Sequence, residues 1–292
     1  MIGNVSRIKY PLDRLLNENR DMEAAPKHSK MRIAALTVCF ALCSTALGQS
    51  QDNAANLAQI AARGRALFAY DAAAAAATDA VKAASGAAVP PGQGLYIGHP
   101  DQNGAWVFDF GTISPDRAAF STYFRAAETA PHTAKFAVTK LAPPEAGTPF
   151  DLAAARAAMA AQDDFGKVTR PYNYAILPLQ NGDMYVYMYP AQTDPKIHPL
   201  GGDERYLVSA DGKTILEKHR MHQRIIEMPA DAPAGSTMQA GFHSDIFSGT
   251  PEDTDVFHVL IRRPLVEEFV VAQGEVYLIQ TDGTIVDKGK RP

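Results

Sequence analysis

Apolar residues between Asn53 and Tyr70 recur at three- and four-residue steps, at Leu57, Ile60, Ala61, Gly64, Leu67 and Phe68, while Gln59, Arg63 and Arg65 lie off that stripe. The spacing predicts an amphipathic helix. The alanines Ala72 to Ala77 extend it or open a second helix, and an alanine run favours a tightly packed helix over a functional feature. Pro90-Pro91, within Ser85 to Gly94, breaks the pattern.

Strand patterns follow. Gly94 to Ile97 and Ala105 to Phe110 flank Asp101-Gln102-Asn103-Gly104, which predicts a hairpin. Phe120 to Arg125 and Lys135 to Leu141 read as two more strands. Asp151 to Gln162 reads as a second helix with Asp151 as its N-cap. Asn173 to Leu179 and Met184 to Tyr189 surround Asn181-Gly182-Asp183, a second hairpin. Tyr206 to Val208 and Thr214 to Leu216 surround Asp211-Gly212, a third. Glu217 to Glu227 continues as a long strand or a short helix. Phe269 to Ala272, Glu275 to Ile279 and Thr284 to Val286 form a closing meander. No internal repeat recurs at a fixed period. The fold class expected is α+β: Ala-rich N-terminal helices, then a mainly antiparallel sheet with a C-terminal helix and strand meander.

Composition adds a compartment. Met31-Arg32, the apolar run Ile33 to Leu47 and the small-residue exit Ala46-Leu47-Gly48 make a secretory signal. Its apolar core of about 15 residues is shorter than the roughly 20 that a membrane-spanning helix needs. The expected organisation is a non-native or disordered leader over 1–30, with Met31 as an alternative start, and a signal peptide over 31–48. An Ala-rich helical region over 49–90, a first α+β part over 91–170 and a β-rich domain over 171–292 follow. Cleavage after Gly48 removes both cysteines, Cys39 and Cys43, so the mature chain has no disulfide. Cleavage also takes away more basic than acidic residues and leaves a chain more acidic than the full-length net charge of −4. An acidic exported chain without a basic stripe argues against nucleic acid as partner. A small molecule, a peptide or an envelope component remains, with no stable membrane span after cleavage.

Candidate chemistry concentrates in Gln239 to Arg263, which holds two histidines, three aspartates and a glutamate in a loop between apolar segments. The run Thr250-Pro251-Glu252-Asp253 is a good helix start, with Thr250 as N-cap, Pro251 at the first position and acids facing the helix dipole. On that reading, a helix from Pro251 to Arg263 uses its acids as caps alone. His243-Ser244-Asp245 followed by Pro251-Glu252-Asp253-Thr254-Asp255 also resembles the motif of the MPN/JAMM metalloprotease family. That motif is His-Ser-His, seven residues, then Ser, two residues and Asp. His243 matches the first histidine, and Pro251 with Asp255 matches the ending. Asp245 stands at the second histidine, Glu252 at the serine, and the spacing is one residue short.

The resemblance covers the C-terminal third. It implies a metal-dependent hydrolase-like domain, active or degenerate, with zinc as cofactor and an upstream glutamate as base. Zinc accepts carboxylate oxygen as well as imidazole nitrogen. The metal ligands are then His243, Asp245 and Asp255, with His222 or His219 brought towards His243 from Glu217 to His222. Glu217 or Glu227 supplies the base. The competing expectations are a non-catalytic periplasmic binding or structural protein, and for Glu217 to His222 a solvated charged strand. His258, in Val256 to Leu260, is expected as a satisfied core histidine. Tyr185, Tyr187 and Tyr189 share one strand face, either as a binding platform or as one side of a packed sheet. Neither a GxSxG elbow nor a surviving cysteine nucleophile is present.

Overall fold

The computed structural model describes residues 43–85, 94–230, 232 and 235–290, with side chains from Asn53 onward. The leader and residues 31–42 of the expected signal lie outside the described residues. The Ala-rich segment forms one uninterrupted helix, α1 (Cys43–Ser85), roughly 65 Å long at 1.5 Å per residue. It begins within the expected signal and takes in the alanine run as its middle. Among the described residues no helix is long and apolar enough to cross a membrane.

Among the described residues the body is α+β, with three helices and four sheets. A first antiparallel meander runs β1 (Leu95–Pro100), β2 (Trp106–Ile113), β3 (Phe120–Glu128) and β4 (Phe136–Ala146). Helix α2 (Pro149–Phe165) follows, and Thr148, not Asp151, is its N-cap. Asp151 N donates to Thr148 Oγ1 at 3.1 Å, and Asp151 Oδ2 accepts from Thr148 N at 2.7 Å. The reciprocal capping box satisfies two backbone donors, so the chain starts its helix three residues earlier than Asp151.

A second antiparallel sheet has the order β5-β6-β8-β9, from β5 (Tyr172–Pro178), β6 (Met184–Pro190), β8 (Glu204–Val208) and β9 (Ile215–Arg220). Between β6 and β8 the chain inserts β7 (Ile197–Gly201), which pairs with β10 (Ile225–Pro229) in a two-stranded ribbon. Glu217 to Glu227 is therefore two strands in different sheets, with a break at Met221 to Arg224 where the partner changes.

The dense stretch is not a loop throughout. It contains β11 (Ala240–Asp245) and α3 (Asp253–Ile261), after which β12 (Glu267–Ala272), β13 (Glu275–Ile279) and β14 (Ile285–Lys290) form the expected meander. Strand β11 pairs parallel with β12, and α3 is the crossover between them. Parallel neighbours need such a connection.

Strand β6 is the hinge of the core because both its faces are covered. Met184, Val186 and Met188 pack with the alanines of α2, Ile176, Tyr206 and Val208. Tyr187 and Tyr189 point the other way, among Leu67 and Tyr70 of α1 and Val256, Phe257 and Leu260 of α3. The period of two thus sorts one strand into two cores. The tyrosine row is one side of a packed sheet and not an exposed platform. Tyr187 donates to Asp253 Oδ2 at 2.8 Å and Tyr189 to Asp71 Oδ1 at 2.7 Å. The first and second sheets are joined through Tyr96 and Tyr174, whose rings stack at 4.7 Å while each hydroxyl donates to the other's carbonyl at 2.9 Å.

Helix α1 crosses α3 at Gly64. A β-carbon there would lie 2.5 Å from Val256 Cβ and 2.6 Å from the Asp253 carbonyl oxygen. The closest approach of the two helices therefore requires glycine, and it seats the N-terminus of α3 deep in the body.

Candidate metal centre

Each acid in Glu252-Asp253-Thr254-Asp255 has its own partner. Asp253, fully buried, receives Arg63 of α1 through both carboxylate oxygens at 2.9 Å, together with Arg205 of β8 and Tyr187. Both oxygens of Glu252 lie 3.0 Å from His219 Nε2. Asp255 divides its two oxygens. Its Oδ2 accepts from the Glu252 backbone N–H at 2.8 Å, as a helix cap does. Its Oδ1 lies 2.9 Å from His243 Nε2 and 3.1 Å from His222 Nε2. The helix-start reading and the ligand reading of Asp255 thus coexist on one side chain, although the cap residue is Glu252 rather than Thr250.

His222, His243 and Asp255 form the group able to hold a metal ion among the described residues. One ligand atom from each lies within 4.8 Å of the others, and all three are buried. Each imidazole is oriented from behind by a carboxylate. His222 Nδ1 lies 2.8 Å from Asp203 Oδ1, and His243 Nδ1 lies 2.9 Å from Glu268 Oε1. Arg262 Nη1 donates to the other oxygen of Glu268. Carboxylates on Nδ1 fix the tautomer and direct Nε2 to a common point, as the carboxylates behind metal-bound histidines do. The Nε2 of His222, although 3.1 Å from Asp255, does not meet it in hydrogen-bond geometry.

The local sequence makes this arrangement possible. Alternation on β11 turns Gly241, His243 and Asp245 inward and leaves Phe242 and Ser244 outward. At Gly241 a β-carbon would fall 1.7 Å from Glu268 Oε2 and 2.5 Å from Arg262 Nη1. Glycine alone lets the Arg262–Glu268 pair pass against β11 to reach His243. On the other side, the turn Gly201-Gly202-Asp203 between β7 and β8 delivers Asp203 to His222.

Burial would push the His243 imidazole down, but the Asp255 and Glu268 carboxylates outweigh it and raise it to about 9. His222 behaves likewise: burial opposes its charge, and Asp203 with Asp255 holds it well above the ordinary histidine value. Burial alone would raise Asp255; the two imidazoles hold it well below the usual carboxylate range. Glu252 is raised by burial, with His219 pulling the other way.

The remaining expected site residues are elsewhere. Asp245 is buried, but its carboxylate serves the turn after β11, accepting from Phe247 N at 2.8 Å and Ser248 Oγ at 3.0 Å. Glu217 is exposed on β9, and Glu227, on β10, pairs with Arg170 at the surface. Neither belongs to the converging group. His219 turns to Glu252, leaving His222 as the histidine that meets His243.

The sequence does not mark Asp203, Glu268 or Glu252 as site residues, since they fall in a turn, a strand and a helix start with ordinary structural readings. His258 is buried as expected but is not satisfied: among the described residues neither ring nitrogen has a hydrogen-bond partner. Burial, then Arg262, His243 and His198, push its imidazole well below the ordinary histidine value. No family model, curated protein or solved structure matches this chain.

Proposed function

We propose that the protein is an exported, periplasmic or secreted metal-binding protein whose buried centre of His222, His243 and Asp255 holds one divalent ion, zinc by its donor set. The observation that carries this reading is the convergence of two Nε2 atoms on one carboxylate oxygen, each imidazole backed by its own carboxylate. Imidazole nitrogen and carboxylate oxygen are both zinc ligands, at about 2.0–2.2 Å. Ligand atoms around a tetrahedral ion of that size stand roughly 3.3 Å apart. The observed 2.9 and 3.1 Å need only a small spreading. Charge supports the same reading. Asp203, Asp255 and Glu268 against Arg262 leave two negative charges, which the raised imidazoles offset as protons and which one divalent cation would offset in their place. The ion's role on this reading is to bind α3 to β11 and to the end of β9. Export rests on the signal-like segment 31–48.

A second reading is a metal-dependent hydrolase-like centre. It is favoured by Glu252, buried beside Asp255, its carboxyl raised by that burial, and paired with the half-exposed His219. Three protein ligands leave a position for water, and Glu252, in place of Glu217 or Glu227, would be the base. The MPN/JAMM resemblance would then extend to His243 and Asp255 as ligand positions, with Asp245 outside the set.

The deciding experiment is metal content by elemental analysis after incubation with zinc and gel filtration, on the wild type beside His243→Ala and Asp255→Asn, with circular dichroism to confirm folding. Near-stoichiometric zinc, lost in folded variants, supports the centre; a wild type that retains no metal overturns it. Hydrolysis of ester or peptide substrates by the zinc-loaded protein, abolished in Glu252→Gln, is the outcome that would favour the second reading over the first.

A further inference from the structure

We propose that His258 is a fourth protein ligand of the ion held by His222, His243 and Asp255, which makes the centre closed, with no position for water. This rests on the metal-binding reading above and decides between its structural and hydrolase-like forms.

His258 is 2% exposed, and neither Nδ1 nor Nε2 has a hydrogen-bond partner. Buried polar groups are nearly always paired, and an imidazole has at least one nitrogen that must donate or accept. The surrounding run Val256-Phe257-His258-Val259-Leu260 is otherwise apolar and wholly buried, so a leucine or phenylalanine would fill the same place without an unpaired group. The position therefore calls for an imidazole for some purpose other than packing.

Helix geometry supplies the purpose. Asp255 and His258 are three residues apart on α3 and project from one face. His243 is among the groups whose charge acts on His258, and the His258 ring stands 6.5 Å from that of His198. His198 is already engaged, its Nε2 accepting from Arg263 N at 3.1 Å and its Nδ1 lying 3.2 Å from Gln192. His258 has no such commitment. It lies outside the three-residue group as that group stands, and turning it about its side-chain bonds towards Asp255 breaks no hydrogen bond. Three imidazoles and one carboxylate then give the four-coordinate arrangement of closed zinc sites.

Cobalt(II), which substitutes for zinc and reports coordination number by its visible absorption, is the probe. The full chain is titrated with Co2+ as wild type, His258→Leu and His258→Gln, with folding followed by circular dichroism. The expected result is a four-coordinate spectrum for the wild type that added azide leaves unchanged, since no exchangeable position remains. The variants, whose fourth position falls to water, should show a spectrum that azide changes and about tenfold or greater loss of affinity, the scale on which even supporting residues act. A wild type whose spectrum azide changes overturns the proposal without any variant. So does a folded variant that matches the wild type in spectrum and affinity. A wild type that takes up no Co2+ overturns the metal reading itself, which separates the two failures.

Discussion

His243 Nε2 stands 2.9 Å from Asp255 Oδ1, so a residue of β11 and a residue of the crossover helix α3, twelve positions apart, meet at a buried point. The histidine belongs to a strand whose partner is β12, and the aspartate to the helix that connects the two. The same oxygen is approached by His222 from the end of β9. Three separately positioned backbones thus hold the centre, so its geometry depends on rigid elements and little on loop conformation.

The orienting carboxylates should be felt in affinity. Asp203→Asn keeps the shape and an acceptor for His222 Nδ1 but removes the charge that strengthens the imidazole as a ligand. Zinc affinity, measured by competition with a chromophoric chelator, should fall about tenfold. An unchanged affinity would mean that the Asp203 charge is irrelevant to the centre.

Asp253 should matter to stability far more than to metal. It is fully buried and is shared by Arg63 and Arg205, which are themselves only partly exposed. Asp253→Asn leaves both guanidinium groups without a carboxylate. Breaking a buried ion pair from one side costs about 3–5 kcal/mol. Urea unfolding of the two proteins measures the difference, and a loss below about 1 kcal/mol would contradict the assigned role.

Asp71 gives the fold a pH dependence of the opposite sense to a salt-bridged acid. Burial raises its carboxyl to about 6, with Tyr189 pulling the other way, and among the described residues no cation pairs with it. Its folded value lies above the unfolded one, so between about pH 4 and 6 the native protein holds a proton that the unfolded chain releases. Its contribution is therefore fully favourable below pH 4 and is lost as pH rises through 6. The residue is partly exposed, which reduces the full linkage value to about 1–2 kcal/mol. Asp71→Asn should raise stability by that amount at pH 7 and by little at pH 4, as read from denaturant midpoints at the two values.

Gly64→Ala tests the helix crossing. Alanine is the better helix former by about 1 kcal/mol. Its β-carbon would nevertheless sit 2.5 Å from Val256 Cβ and 2.6 Å from a backbone oxygen, and neither atom can rotate away. Overpacking of this kind costs about 1–3 kcal/mol, so the variant should be less stable despite its better propensity. A rise in midpoint temperature by calorimetry would show that α1 and α3 can separate at no cost.

Local patterns were legible where local physics decides. The hairpins at Asn103-Gly104 and Gly182-Asp183, the helix of α2 and the final meander follow from turn residues and periodicity. The N-cap of α2 is not fixed by local sequence because Thr148 and Asp151 are both good caps, and only their reciprocal bonding tells them apart. Strand β11 was not legible, since Gly241, Ser244 and Asp245 are poor strand formers and its parallel partner lies beyond a whole helix. His243 and Asp255 stood out through their density of donors. The choice of His222 over His219 depends on β9 ending at Arg220, a boundary set by β10 leaving for β7. Asp203 and Glu268 reach the centre through tertiary packing, which no spacing within the sequence encodes.

The candidate ligands His222 and Asp255 bracket β10, β11 and the proline- and alanine-rich segment between them. Both cysteines of the chain, Cys39 and Cys43, lie upstream of this stretch, so no disulfide can close a loop within it. An ion joining the two ends would act as a removable one. Closing a loop of about 30 residues withdraws conformational freedom from the unfolded chain worth about 3–4 kcal/mol in the chain-entropy model. Metal supply in the surrounding compartment would then set how long the chain survives proteases there, much as oxidation does for a disulfide-bonded neighbour.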